Sequence, residues 1–130
     1  MEIALRTALL GWLAGDATLA ASLNAITEEA PQRAPSLPWL GIAGSSSVDW
    51  STKTEAGLET RLSLALHARG DQPDACATLA SAVQSRIANW PRAQTGFRII
   101  SAVLLRSGVK QMPENGRLVE LEYRFRLIAA

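Results

Sequence analysis

The stretch Leu58-Glu59-Thr60-Arg61-Leu62-Ser63-Leu64-Ala65-Leu66-His67-Ala68 repeats with a period of two. Leu58, Thr60, Leu62, Leu64, Leu66 and Ala68 point one way, while Glu59, Arg61, Ser63, Ala65 and His67, continued by Arg69, point the other. Successive side chains of a strand alternate between faces, so this is the pattern of a half-buried antiparallel strand. Gly70 ends it, and the period then changes. Asp71 stands where an N-cap belongs, with Pro73 in the first turn and Asp74 near the positive end of the helix dipole. Cys76, Leu79, Ala80, Val83, Ile87 and Trp90 form one stripe at helical spacing, closed by Pro91.

Downstream lie two more alternating runs. Phe97, Ile99, Ser101, Val103 and Leu105 alternate with Arg98, Ile100, Ala102, Leu104 and Arg106; Val119, Leu121, Tyr123, Phe125 and Leu127 alternate with Glu120, Glu122, Arg124 and Arg126. The connection from Ser107 to Arg117 holds the turn formers Gly108, Pro113, Asn115 and Gly116. Upstream, Leu5, Leu9, Trp12 and Leu13 recur at helical steps over Glu2 to Ala14. Gly15 is a stop of the left-handed kind, and Asp16 caps a short second helix through Leu23. Glu28 to Pro38, with Glu29, Pro31 and Pro35, reads as an extended connector. Trp39 to Ala43 is a short apolar strand, followed by a polar loop or hairpin extension from Gly44 to Ala56 that includes Ser45-Ser46-Ser47.

The order is α, α, β, an optional further β, β, α, β, β. It predicts an α+β fold: a mostly antiparallel sheet of about four strands with helices packed on one face. The helix after Ala68 has room to return over the sheet, which would set Leu58–Ala68 beside Phe97–Arg106. With 130 residues, 48% hydrophobic and 19% charged, the chain makes one domain, residues 1–130, without an internal repeat.

Thirteen Lys+Arg against 12 Asp+Glu leave a formal charge of +1. That balance excludes a strongly cationic nucleic-acid clamp or a polybasic membrane binder, while leaving room for a local basic patch. A single cysteine, Cys76, excludes an intrachain disulfide and a multi-cysteine zinc site. The apolar run from Ala8 to Ala14 is broken by Gly11 and is too short for a signal peptide or a membrane span, so a soluble protein made in a reducing cytoplasm is expected.

Reactive groups do not converge. His67, the one histidine, lies on the polar side of its strand without a recognisable carboxylate and nucleophile, and reads as solvated or interfacial rather than catalytic. Cys76 lies on an apolar stripe and reads as an inert thiol. Glu120 and Glu122 could share a divalent ion, but Arg124 and Arg126 beside them favour cross-strand ion pairs. Gly41, Gly44 and the serines after them lack the spacing and lysine of a phosphate loop. No catalytic residue, metal ligand or cofactor-binding residue is assigned, and an enzyme is not expected.

The tryptophans and one sheet face point to adhesion instead. Trp12 and Trp90 read as core, and Trp39 as core at the start of a strand. Trp50, among Asp49, Ser51, Thr52 and Lys53, either folds back onto the body or contacts a partner. Ile100, Ala102 and Leu104, flanked by Arg98 and Arg106, fall on the face turned from the helices, which favours self-association or docking on another protein.

In order and spacing, the chain resembles the tail-completion, or tail-terminator, proteins of long-tailed phages and gene transfer agents. The features that carry this are Leu9-Leu10, Asp16-Ala17-Thr18-Leu19, Leu37-Pro38-Trp39-Leu40, Asp49-Trp50-Ser51-Thr52-Lys53-Thr54, Leu66-His67-Ala68-Arg69, the helix from Asp74 to Trp90, and Tyr123-Arg124-Phe125-Arg126. The resemblance implies a homo-oligomer, a hexameric ring at the head-proximal end of the tail tube. Such a ring stops tube polymerisation, contacts the tail-tube protein and a head-side connector or stopper, and passes DNA through its lumen without sequence-specific binding or a membrane. Its place would be the virion or a phage-like particle. The near-neutral total charge suits DNA that slides rather than binds. Within this reading Asp49–Thr54 and the turn from Lys110 to Asn115 are the segments expected to reach neighbours, and Glu59/Arg61 and Glu122/Arg124 supply complementary ring charges. The rival readings are a head-side stopper or adaptor, a tail-tube subunit, a small α+β enzyme of the thioesterase-like kind, and a ligand-binding module.

Overall fold

The computed structural model describes residues 1–28 and 33–130, so the part of the connector that holds Glu29 and Pro31 lies outside the described residues. In chain order the elements are α1 (Glu2–Ala14), α2 (Ala17–Ser22), β1 (Ile26–Thr27), β2 (Trp39–Asp49), β3 (Gly57–Arg69), α3 (Pro73–Ala88), β4 (Ala93–Gln94), β5 (Phe97–Met112) and β6 (Gly116–Ala129). The fold is α+β, with the strands in one sheet of order β1-β2-β3-β6-β5-β4. The expected four strands are the four long ones; β1 and β4, of two residues each, extend the sheet to six. β1 runs parallel to β2, and every other pairing is antiparallel.

One expected neighbour is corrected. β3 pairs with β6 and not with β5, which lies one strand further out. A strand followed by a crossover helix returns in its original direction, so β3 and β5 run the same way. Inserting β6 between them gives both an antiparallel partner, and the short turn at Pro113–Asn115 makes the β5–β6 pairing local. That turn carries Glu114 and Asn115 at φ 58, the left-handed region in which asparagine is among the tolerated residues. The strands reach much further into the expected Ser107–Arg117 connection than its turn formers suggested, and Lys110 belongs to β5.

The inward face of β3 is the one its alternation predicts. Thr60, Leu62, Leu64 and Leu66 are fully buried opposite Phe125, Tyr123, Leu121 and Val119 of β6. Leu5, Leu9 and Leu13 of α1, Leu19 of α2, and Cys76, Val83 and Ile87 of α3 close over them. Trp90 meets Phe125 edge-on at 5.9 Å between ring centroids. Asp16 caps α2 as expected, accepting from the backbone N–H groups of Thr18 and Leu19. Two end signals differ. Gly15 is right-handed, at φ −73, because α1 passes into α2 by a simple turn. The N-cap of α3 is Gln72, with no side-chain bond, and Asp71 lies one residue too early to reach the first turn.

Of the two readings of Gly44–Ala56, loop or hairpin extension, the second holds for the serine run: β2 continues through Ser45, Ser46 and Ser47 to Asp49 against β3. A bulge between Ile42 and Gly44 resets its register. Ser45 and Ser47 then face the helices, opposite buried Leu62 and Thr60. There they donate to the Glu2 carboxylate of α1, Ser45 at 2.7 Å, while Ser47 also bonds Thr60 Oγ1 at 2.7 Å. Arg6 donates to Ser45 Oγ at 2.9 Å and pairs with Glu28 at 3.2 Å. The segment also reads as a loop because its inward side is polar. It is satisfied by a polar network instead of leucines, as buried hydroxyls require.

Two truncations separate core from periphery. Phe125→Ala should lower stability by about 3–5 kcal/mol, the range for emptying a fully buried aromatic site. Val109→Ala, on the bare end of β5, should stay within about 0.5 kcal/mol. Urea denaturation of both variants checks the difference.

Candidate interaction surfaces

The helix-free face of the sheet concentrates positive charge. Arg61, Arg69, Arg124 and Arg126 on β3 and β6, with Arg98, Arg106 and Lys110 on β5, share this face with Glu59, Glu120 and Glu122. Among the described residues these strands therefore set four excess cations on one face of a chain whose formal charge is +1. The composition hides this segregation. Most of these groups are cross-linked: Arg126 to Glu59 at 3.0 Å, Lys110 to Glu120 at 3.3 Å, Arg106 to Glu122 at 3.5 Å and to Glu120 at 3.6 Å. Arg61 approaches Glu122 at 3.9 Å. Pairs this exposed add little stability, so their value lies in what they present to a neighbour. Arg61 and Arg124 are direct cross-strand partners. Like charges facing one another cost a free monomer stability and suit an anionic surface laid across them. Glu59/Arg61 and Glu122/Arg124, expected to supply ring charges, are neighbours along their own strands on this face; within one copy the carboxylates bond across strands, Glu59 to Arg126 and Glu122 to Arg61 and Arg106.

Asp49 and Trp50 to Ala56 form a tight turn between β2 and β3. Asp49 accepts from Ser51 Oγ at 2.6 Å, and Ser51 Oγ accepts from Gly57 N–H at 2.9 Å. Thr52 Oγ1 accepts from Glu55 N–H at 3.0 Å, leaving Lys53 exposed at the tip. Trp50 is half-buried, with the Arg126 guanidinium 5.4 Å from its ring centroid. Gly57 is required here, since a Cβ on it would lie 2.6 Å from the Trp50 carbonyl oxygen.

The β5 face assignment needs correction. Bulges at Ile100 and Leu105 reverse the alternation twice. Ala102 and Leu104 consequently turn to the helix side, opposite Phe125 and Tyr123, while Ser101 and Val103 take the helix-free side with Arg126 and Arg124. Strict alternation put Ile100, Ala102 and Leu104 on one outer patch, which the bulges break up. Exposure nevertheless survives: Ile100, Val103, Leu104, Leu105, Val109 and Met112 all keep a third or more of their surface in solvent, because β5 is an outermost long strand and lies beyond the helices, while Val119 and Leu121 of β6 beside it are covered. Val109 and Met112, which the sequence reading assigned to a connection, are among them. Asp49–Lys53, Ile100 and Leu104, and Arg106, Lys110, Glu122 and Arg124 thus lie at three different places, namely the β2–β3 turn, the β5 edge and the helix-free face.

Trp12 is half-buried rather than deep core: Arg86 stacks on its ring at 3.3 Å, and its indole N–H donates to the Arg86 carbonyl at 2.7 Å. Trp39 is buried on the helix-free face, stacked on its cross-strand partner His67 at 4.0 Å between centroids. Burial holds the His67 pKa below its ordinary value and raises that of the Cys76 thiol, which keeps the thiol protonated. Hydrogen bonds from Ser47 and Ser45 hold the Glu2 carboxyl below its ordinary value. Among the described residues no group of three His, Cys, Asp or Glu side chains could hold a metal ion, and no helix is long and apolar enough to cross a membrane.

The profile of the family "Tail completion protein gp17" matches residues 7–128, and the chain belongs to that family. The solved virion of a native gene transfer agent (GTA) particle contains a chain of the same fold, with a TM-score of 0.79 at 22% identity, covering 98% of this chain and 96% of that one. Among curated protein sequences none matches.

Acid should destabilise the protein in two separate windows. His67 is harder to protonate folded than unfolded, so its contribution is lost as pH falls below about 6.5. Glu2 is harder to protonate folded as well, and its contribution is lost only below about pH 4.5. Thermal melts of His67→Gln should lose the first slope and keep the second.

Proposed function

We propose that this chain forms a ring, a hexamer, at the head-proximal end of a phage-like tail tube, within the virion near the head–tail junction. The ring ends tube polymerisation and joins the tail to a head-side connector or stopper. The single observation that carries this reading is the family match over residues 7–128. The fold adds a physical basis, because beyond Ile99 the outer strand β5 has no helical cover and exposes Val103, Leu104, Leu105, Val109 and Met112. A protein that works by adhesion between copies needs such surface.

DNA passes through the lumen in this reading, and the helix-free face is suited to line it. Arg61 and Arg124 offer phosphate contacts, while Glu59, Glu120 and Glu122 already partner the neighbouring cations. Cations with internal counterions release few bound ions to DNA, so contact is weak and carries no base preference. This refines the expectation from total charge: the face is basic, and its own carboxylates moderate its hold.

Alanine at Trp50 and Lys53 together should leave far-UV circular dichroism and the melting transition nearly unchanged and impair assembly on tail tubes. Normal head-joined tails with that variant would count against a contact role for the turn. Electron microscopy of the purified wild-type protein tests the ring itself. Closed six-fold rings support it, and filaments of unlimited length would favour a tube subunit.

A further inference from the structure

Among the described residues both edges of the sheet are paired over only part of their length. Beyond Gly41, β2 has no partner on its outer side among the described residues, and beyond Ile99 neither has β5. A long bare edge is a template for another strand, and proteins that must stay single blunt or cover it. Here β5 runs on to Met112 with exposed apolar side chains along it. β2 carries Val48 at its bare end, 61% exposed, and Ile3 of α1, 77% exposed, lies one helical step round from Glu2, which bonds this same strand.

We infer that the β5 edge of one copy pairs with the β2 edge of the next, so that the sheets join head to tail. The inference rests on the ring reading above and adds which surfaces meet. Three observations select a second copy as the occupant. First, in the order β2-β3-β6-β5 each neighbour is antiparallel, so β5 and the β2 of the following copy continue the alternation. Second, the charges are complementary. The bare part of β5 carries Arg106 and Lys110, each sharing its charge with Glu120 or Glu122 of β6 and still about two-thirds exposed, whereas the bare part of β2 carries Asp49 and no cation. A symmetric β5–β5 contact would set cations against cations, while the head-to-tail contact sets unlike edges together. Third, a groove of about 300 Å³ lies beside the β5 edge between α3 and the hairpin, lined by Ala77, Ala80, Val109 and Leu121. The opposite edge of the molecule projects Ile3, an apolar side chain with no such cover.

Two unlike surfaces meeting head to tail generate a ring when the rotation closes. The helix-free faces of all copies then line one continuous wall, and the helices stand outside it.

Hydrogen exchange of the wild-type protein, dilute and assembled, reads the pairing directly. Amides of Ile100–Met112 and of Ile42–Asp49 should both slow by about tenfold or more on assembly, as newly paired strand amides do. Assembly with protection elsewhere and both edges still exchanging would overturn the edge pairing and leave the ring standing. Failure to assemble at any concentration, or on tube ends, would sink the ring and this inference with it. Leu104→Lys and Val48→Lys supply an independent arm, since each side chain is already exposed. Either should remain monomeric by sedimentation with an unchanged melt, and wild-type assembly by both would refute the contact.

Discussion

The structure is governed by which strands the helices cover. α1 packs against β1 and β2, while α3 starts beside the β5–β6 turn, where Cys76 and Ala77 stand by Val119 and Leu121, and runs back over β3. Beneath them Phe97, Phe125, Leu64, Ile87 and Trp90 make a dry core. Beyond Ile99, β5 lies outside this cover, so Val109 is 66% exposed beside Val119 of β6, which is 6% exposed. An apolar face is buried only by a second layer, and the outer strand has none there. The bare strand follows from its place at the margin of the helical layer, and a role built on contact between subunits uses it.

Charge is distributed by the same division. The covered end of β2 needs no cation at its surface, and its polar serines turn inward to Glu2 and Arg6. The helix-free face instead collects arginines with glutamates set between them, including the direct Arg61–Arg124 opposition that a free monomer would be better without. A near-neutral chain can therefore present a basic surface. Net charge constrains solubility and long-range attraction, and is silent on which face carries the charge.

Much of the fold was legible because burial imposes period. The alternation over Leu58–Ala68 and the stripe from Cys76 to Trp90 identified the central strand, the crossover helix and the buried side of each. Legibility failed where a bulge or a polar core broke that period. Ile100 and Leu105 each add one residue to β5, and a slip of one residue exchanges the two faces. Ala102 and Leu104 were therefore assigned to the wrong side. Ser45 and Ser47 could also be read as loop because their partner, Glu2, is more than forty positions away. Strand order escaped for a related reason, since pairing by β6 depends on space between β3 and β5 rather than on any local letter.

Local composition thus settled the main helices, the central strand and the inward side of each. These properties depend on solvent exclusion and act over a few residues, so a short window of sequence contains them. The neighbour of each strand, the sign of each sheet face and the two open edges arise from contacts between distant segments. They exist only once the chain has closed on itself, because hydrogen-bond pairing and charge proximity are properties of position in space.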